Sequence, residues 1–258
     1  MSFLSETSAS QKIGVIIAAI VGGLIVRFVM AGGIEEYYNP SKQIENRIVE
    51  AMEARPGDLA VLQAMRDYFP LEYDDLLESM TDAAMADAPA EDVMRAGSRE
   101  LARFMARHPN DFAAAPEANL SEVLRTESAL LEALLAEDPV ACGDYIFGTM
   151  EPADPLSEET GKLIGEAAAS KIKAMAAGRA DQQLRLATTP SDLRKLTDTM
   201  RERGASAEQI ALFTDNIDTA VLGSEEQCEA ALHLVKAIEA QKPSSRALLV
   251  ATFLTPIR

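Results

Sequence analysis

The feature that most constrains this chain is a long apolar segment near its amino terminus, from residue 13 to residue 34. It contains about 22 residues, and apart from Arg27 all of them are apolar or glycine. A helix of that length is about 33 Å long, whereas the hydrocarbon core of a bilayer is about 30 Å thick. The segment therefore predicts a single transmembrane helix that anchors the chain in a membrane.

The ends of this predicted span are marked by charged and aromatic residues. Arg27 lies about 10 Å from the carboxyl end of the helix, so its long side chain can reach the lipid headgroups. Glu35 and Glu36 end the apolar run, and Tyr37 and Tyr38 follow, where aromatic rings favour the membrane interface. The span therefore ends near residue 35, and residues 1–12 form a short amino-terminal tail.

Two other interpretations of residues 13–34 stay open. The first is a secretory signal that is cleaved near Val29, Met30 and Ala31, although the apolar core of such signals usually contains about 7 to 15 residues. The second is a buried helix of a soluble protein, although residues 13–26 lack the polar face of a surface helix. An uncleaved anchor agrees best with the length of the segment.

The orientation of the span is not fixed by charge, because Lys12 precedes it whereas Lys42 and Arg47 follow it. A single first span before a long domain most often leaves its short amino terminus in the cytoplasm, and long domains translocate largely regardless of charge. We therefore expect the domain on the non-cytoplasmic, periplasmic side. Pairs of small residues at four-residue spacing, Ala18 with Gly22 and Ala19 with Gly23, add the hypothesis of self-association through the span.

Downstream of the span, the chain is strongly acidic and its composition predicts an all-α fold. The sequence contains 24 Lys and Arg against 41 Asp and Glu, and only Glu6, Lys12 and Arg27 precede residue 35. The net charge of about −18 that follows repels phosphate backbones, so no nucleic-acid partner is expected. Abundant Ala, Leu, Glu and Met, with few alternating β-branched residues, favour helices over sheet.

Prolines and capping residues divide the acidic part into short helices, which form either a bundle or an irregular array of helical hairpins. The first helix begins at Asn39 and Pro40, and the capping-box pairs Ser206 with Gln209 and Ser224 with Gln227 begin two others. The two helices that begin at the capping boxes are expected at 207–214 and 225–240. The remaining helices are expected at 58–68, 71–86, 90–107, 120–136, 139–147, 156–177, from Thr189 to a stop at Gly204, and 244–254.

The best candidate for an internal boundary is the loop at residues 151–155, which contains two prolines and two acidic residues. It separates a helical subdomain at residues 35–150 from a second one at 156–258. The two subdomains can also pack together as one domain. Cys142 and Cys228 lie on opposite sides of this loop, so a disulfide between them would tie the two helical groups together.

Histidines and cysteines are too few for most metal and nucleophile chemistry. His108 precedes Asp111 on a turn, but a zinc site normally needs three or four protein ligands, so solvation of a helix end is the preferred interpretation. His233 is predicted to be a partly buried helical residue. Cys142 and Cys228 form either one disulfide or two buried thiols, and no motif makes Cys142 a nucleophile.

The densest carboxylate cluster is interpreted as a solvated helix face, and Leu76 and Leu77 interrupt any calcium-loop pattern in it. Its members are Glu72, Asp74, Asp75, Glu78 and Asp82. The chain also lacks the nucleophile elbow, the phosphate loop and the dinucleotide-binding glycine pattern. The sequence therefore assigns no catalytic, cofactor-binding or metal-binding residue, and no cofactor.

Together these observations favour a membrane-anchored binding or scaffold module that holds a protein partner in the cell envelope. Two alternatives stay open, namely an all-helical envelope hydrolase whose site the sequence does not reveal, and a cytoplasmic adaptor tethered to the membrane. An enzyme should show a pocket that gathers titratable groups, whereas a binding module should show an exposed apolar patch rimmed by acidic residues.

Overall fold

The structure is a computed structural model that describes residues 39–147, 150, 156–214 and 222–255. The predicted membrane span at residues 13–34 and the predicted boundary loop at 151–155 lie outside these residues. In the described part there is no β-strand, and the all-α prediction is confirmed for it. None of its helices has both the length and the apolar character needed to cross a bilayer.

The described residues form twelve helices. They are α1 (Pro40–Glu53), α2 (Pro56–Tyr68), α3 (Pro70–Met85), α4 (Ala90–Arg107), α5 (Pro109–Ala113), α6 (Glu117–Glu137), α7 (Pro139–Phe147), α8 (Glu158–Ala180), α9 (Pro190–Glu202), α10 (Ala207–Thr214), α11 (Ser224–Glu239) and α12 (Pro243–Phe253).

Proline and short polar side chains determine where many of these helices begin. Seven of the twelve start with proline, whose fixed φ and missing N–H suit the first helical position. The side chain of Asn39 accepts hydrogen bonds from the hydroxyl of Ser41 at 2.7 Å and from the N–H of Lys42 at 3.3 Å. Thr189 and Asp192 form a reciprocal capping box at α9. These helix starts follow the sequence prediction.

Two details of the predicted helices are wrong. The segment after Pro109 was expected to be a break, but Pro109 is the first residue of the short helix α5. At α11 the cap is Gly223 rather than Ser224, because the carboxylate of Glu226 accepts the N–H of Gly223 at 3.0 Å. Gln227 instead donates its side-chain amide to the carbonyl of Leu222 at 2.8 Å. The capping box of Ser206 and Gln209, by contrast, is confirmed.

Residues 48–258 form one compact unit, in which α6 and α8 are the central pair. These two helices are antiparallel, since Glu137 contacts Thr160 at one end and Thr126 hydrogen-bonds Ser170 at 2.8 Å further along. Helix α8 also packs against α2 and α5, whereas α6 also packs against α7, α11 and α12. The main apolar core therefore contains residues from both sides of the 151–155 loop.

Helices α2 and α8 run parallel and meet at glycines. A Cβ atom on Gly165 would lie 2.1 Å from the carbonyl oxygen of Gly57, so only glycine permits this approach of the two backbones. Four residues earlier on the same helix, a Cβ atom on Gly161 would meet nothing within 4 Å. Gly161 and Gly165 therefore have different roles, although they look alike in sequence.

We expect Gly165→Ala to lower the free energy of unfolding by about 1 to 3 kcal/mol, because an added methyl group forces the two backbones apart. Gly161→Ala is the matched control, and it should be neutral or stabilise the protein by up to about 1 kcal/mol through helix propensity. Urea unfolding followed by circular dichroism measures both. Equal effects of the two substitutions would show that the close contact between α2 and α8 does not exist.

Candidate functional site

A disulfide joins Cys142 of α7 to Cys228 of α11. The two Cα atoms are 5.6 Å apart, the sequence separation is 86 residues, and both side chains are fully buried. Of the two interpretations of these cysteines, the structure therefore shows the bridge. It fixes the short helix α7 against α11, on one side of the central helix α6.

Three polar side chains from three helices, one of them α7, form a largely buried cluster. The ammonium nitrogen of Lys171 on α8 lies 2.6 Å from Oε1 of Glu127 on α6. The hydroxyl of Tyr145 on α7 donates to both carboxylate oxygens of Glu127, at 2.9 and 3.1 Å. Lys171 also donates to the oxygen of Tyr145 at 3.5 Å. Each group in the cluster thus has a charged or polar partner.

The electrostatics of this cluster oppose a catalytic role at neutral pH. Burial raises the pKa of Tyr145, and the neighbouring Glu127 carboxylate raises it further. For Lys171, burial acts to lower the pKa, but the negative charge of Glu127 and the contact with Tyr145 outweigh it, so the pKa is raised. A lysine or tyrosine that acts as a base or nucleophile needs a lowered pKa. The cluster is therefore better suited to holding α6, α7 and α8 together.

His108 is held among charged and aromatic side chains rather than at a metal site. Its Nδ1 lies 3.0 Å from the carboxylate of Asp111 and 3.1 Å from Nη2 of Arg179, and its Nε2 lies 3.7 Å from Glu72. The guanidinium Nε of Arg179 lies 3.4 Å from the carboxylate of Asp111, so an arginine cation already neighbours this carboxylate. Among the described residues, no group of three or more His, Cys, Asp or Glu could hold a metal ion. His233 is partly buried in α11, as the sequence predicts.

The carboxyl end of α8 carries the most exposed apolar side chains of the described residues. Leu184 is 98% exposed and Leu186 is 87% exposed, on the non-helical segment that follows α8. Leu71 and Tyr68 are also exposed, at the junction of α2 and α3. Such side chains are usually buried in a folded monomer, so several of them at one end indicate a surface for binding. We call these four residues the apolar end.

The segment that carries the two leucines is fixed by hydrogen bonds to α5. The main-chain N–H of Gln183 donates to the carbonyl of Ala114 at 2.8 Å. The guanidinium of Arg185 donates to the carbonyls of Ala113 at 2.8 Å and Ala115 at 2.5 Å. Arg185 is partly buried by these contacts, whereas Leu184 and Leu186 on either side of it are almost fully exposed.

Contacts around Arg179 place Tyr68 and Leu71 at the same end of the molecule. The guanidinium of Arg179, near the end of α8, lies 4.6 Å from the ring centre of Phe69. The carboxylate of Glu72 lies next to His108, which immediately precedes α5. Phe69 and Glu72, which are next to Tyr68 and Leu71 in the chain, thus contact α8 and the residue before α5. Gln183 and Arg185 contact the other end of α5, so α5 lies between the two pairs of exposed side chains.

The sequence did not identify the apolar end or the buried cluster. The sequence contains one signal of the apolar end, which is the pair of leucines on either side of Arg185 in a segment between predicted helices. It contains none for Glu127 and Lys171, because both occur among other charged residues of amphipathic helices. The carboxylates Asp74, Asp75, Glu78 and Asp82 are exposed on α3, as expected for a solvated helix face.

The fold and these sites define an all-α protein with one buried disulfide and one exposed apolar end. Comparison of the chain with protein-family models, curated proteins and solved structures found no match. The function of the chain is therefore inferred from the geometry of the described residues.

Proposed function

We propose that this chain is a single-pass membrane protein whose helical domain binds a protein partner on the non-cytoplasmic side of a bacterial-type envelope. The observation that carries the binding role is the almost complete exposure of Leu184 and Leu186 on a segment fixed by Arg185. Exposed leucines on a fixed segment lose little conformational entropy when a partner covers them. The exposed carboxylates Asp74 and Asp75, which follow Leu71 on α3, agree with the acidic rim expected of a binding module.

The disulfide and the apolar amino-terminal segment support the location in this proposal. Disulfides form and persist in oxidising compartments and are rare in the cytosol, so the bridge between Cys142 and Cys228 favours the periplasmic side over a cytoplasmic adaptor. Residues 13–34 have the length and composition of a membrane span. The apolar segment thus supports the anchor, and the bridge supports the side of the membrane on which the domain lies.

One labelling experiment in intact cells tests both parts of the proposal. Leu184→Cys and Ser244→Cys are made separately in the full chain, which keeps its buried disulfide, and are treated with a membrane-impermeant maleimide. We expect Ser244→Cys to react without lysis in a protein that stays in the membrane fraction. Leu184→Cys should react fully in purified protein but slowly in cells, because a partner covers it there.

The outcomes against the proposal are distinct for each part. Reaction of Ser244→Cys only after lysis would place the domain in the cytoplasm. Recovery of the chain in the soluble fraction would show that residues 13–34 do not anchor it in a membrane. Equal reactivity of Leu184→Cys in cells and in purified protein would show that no partner covers the apolar end.

A further inference from the structure

The stretch of chain beside the apolar end is strongly and uniformly acidic. Between Arg66 and Arg95 the sequence contains nine Asp and Glu residues and no Lys or Arg. Helix α3 lies within this stretch, begins next to Leu71, and exposes Asp74 and Asp75 in its first two turns. No basic side chain of the same stretch neutralises these carboxylates. The apolar end is therefore bordered on one side by the exposed carboxylates of α3.

The acidic start of α3 and the leucines after α8 are close enough for one segment of a partner to reach both. Glu72 contacts His108, and Gln183 donates to the carbonyl of Ala114. Helix α5 lies between these two contacts, and its five residues with His108 extend about 9 Å. A strand of five or six residues spans about 17 to 20 Å. A short extended segment is thus long enough to bridge the two features.

We propose that the apolar end binds a basic segment of a protein partner, with apolar residues at alternate positions that cover Leu184 and Leu186. This inference rests on the proposed binding function and adds the chemistry of the partner to it. The alternation follows from the two exposed leucines, which lie two residues apart with the partly buried Arg185 between them. The basic character follows from the charge of α3, since an acidic surface attracts cations and repels acidic chains.

The negative charge of α3 also disfavours the other molecules that could bind this surface. A second copy of the chain carries the same net charge of −17 and would bring two acidic α3 helices together. An anionic lipid surface would be repelled in the same way. A basic protein segment is the occupant that the charge favours.

The test uses a short synthetic peptide in which lysine and leucine alternate, titrated calorimetrically into the purified full-length chain. We expect it to bind, and a peptide in which glutamate replaces lysine not to bind. Leu184→Ser with Leu186→Ser should weaken binding at least tenfold, because two buried leucines are lost while the charge stays constant. Both positions are exposed, so circular dichroism should show an unchanged fold.

Two triple variants, each of which removes three negative charges, show whether the peptide is attracted by α3 in particular or by the acidic protein in general. Asp74→Asn with Asp75→Asn and Glu78→Gln should weaken binding about tenfold and reduce its dependence on salt. The matched control is the set Glu202→Gln, Glu208→Gln and Glu225→Gln, which are exposed on α9, α10 and α11. The control should change the affinity less than twofold.

Three results would overturn this inference. They are equal weakening by the two triple substitutions, binding that is unaffected by the leucine substitutions, and a concentration-dependent dimer that the leucine substitutions abolish. The last result would assign the surface to a second copy. If Leu184→Cys is protected in cells while the basic peptide fails to bind, the binding function stands and only the inferred partner chemistry is wrong.

Discussion

Replacing Lys171 with methionine is expected to lower the free energy of unfolding by about 3 to 5 kcal/mol, because it leaves the Glu127 carboxylate buried without its counter-charge. The side chain of Glu127 is only 5% exposed and that of Lys171 is 18% exposed, so water cannot readily replace the lost ammonium. Tyr145 still donates its hydroxyl to Glu127 in the variant, but a neutral donor compensates a buried charge only in part. Urea unfolding of the variant and the wild type measures the difference.

A triple variant is the matched control for this prediction. Glu127→Leu, Tyr145→Phe and Lys171→Met together replace the whole cluster with apolar groups, which removes the cost of desolvating charges along with their attraction. We expect the triple variant to be clearly more stable than Lys171→Met alone. A single substitution that costs less than about 1 kcal/mol, the usual value for an exposed pair, would show that the pair is solvated.

The same cluster predicts a loss of stability at alkaline pH. The folded state raises the pKa of Lys171 above its ordinary value of 10.5, so its contribution is complete below pH 10.5 and is lost as the pH rises through the folded-state pKa. Tyr145, whose pKa is also raised, acts in the same direction. The free energy of unfolding of the wild type should therefore fall relative to that of the triple variant as the pH is raised beyond 10.5.

Removal of the disulfide is the second large effect that we expect. Cys142→Ala with Cys228→Ala should lower the free energy of unfolding by about 4 kcal/mol, because the bridge closes a loop of 86 residues and restricts the unfolded chain. The double variant should keep its helical circular dichroism spectrum at low temperature. Its urea midpoint should not respond to a reducing agent, whereas that of the wild type should fall.

The reducing agent also provides the decisive control for the bridge. If the wild-type midpoint is the same with and without reductant under unfolding conditions, the two cysteines are free thiols in solution. In that case the cysteines no longer favour an oxidising compartment, while the fold of the helices is unaffected.

Local sequence signals predicted much of this fold because the chain marks its helix starts with strong local chemistry. Pro70 and Pro139 begin helices at predicted breaks, Pro190 is the first residue of α9 as predicted, and Gly204, with φ of +98°, follows the end of α9 as predicted. These features depend on a few neighbouring residues, so they can be read without the tertiary structure. Pro109 shows the limit, since the same signal that ends α4 also begins α5.

The features that depend on distant residues could not be predicted. Gly165 differs from Gly161 only because the carbonyl of Gly57 lies against it, more than 100 residues earlier in the chain. Glu127 resembles any other helical glutamate until Tyr145 and Lys171 are brought to it from two other helices. The sequence thus indicates where helices begin and end, whereas the sites arise from which helix faces pack together.

The central position of α8 also determines the order in which the domain can be assembled during synthesis. Helices α2, α5 and α6 all pack against α8, yet all three are synthesised before it. The faces that they bury against α8 therefore stay uncovered until residue 180 has left the ribosome. A nascent chain that is stopped before this point presents unburied helix faces to other proteins. The domain is therefore expected to fold late in synthesis, when α8 becomes available for the other helices to pack against.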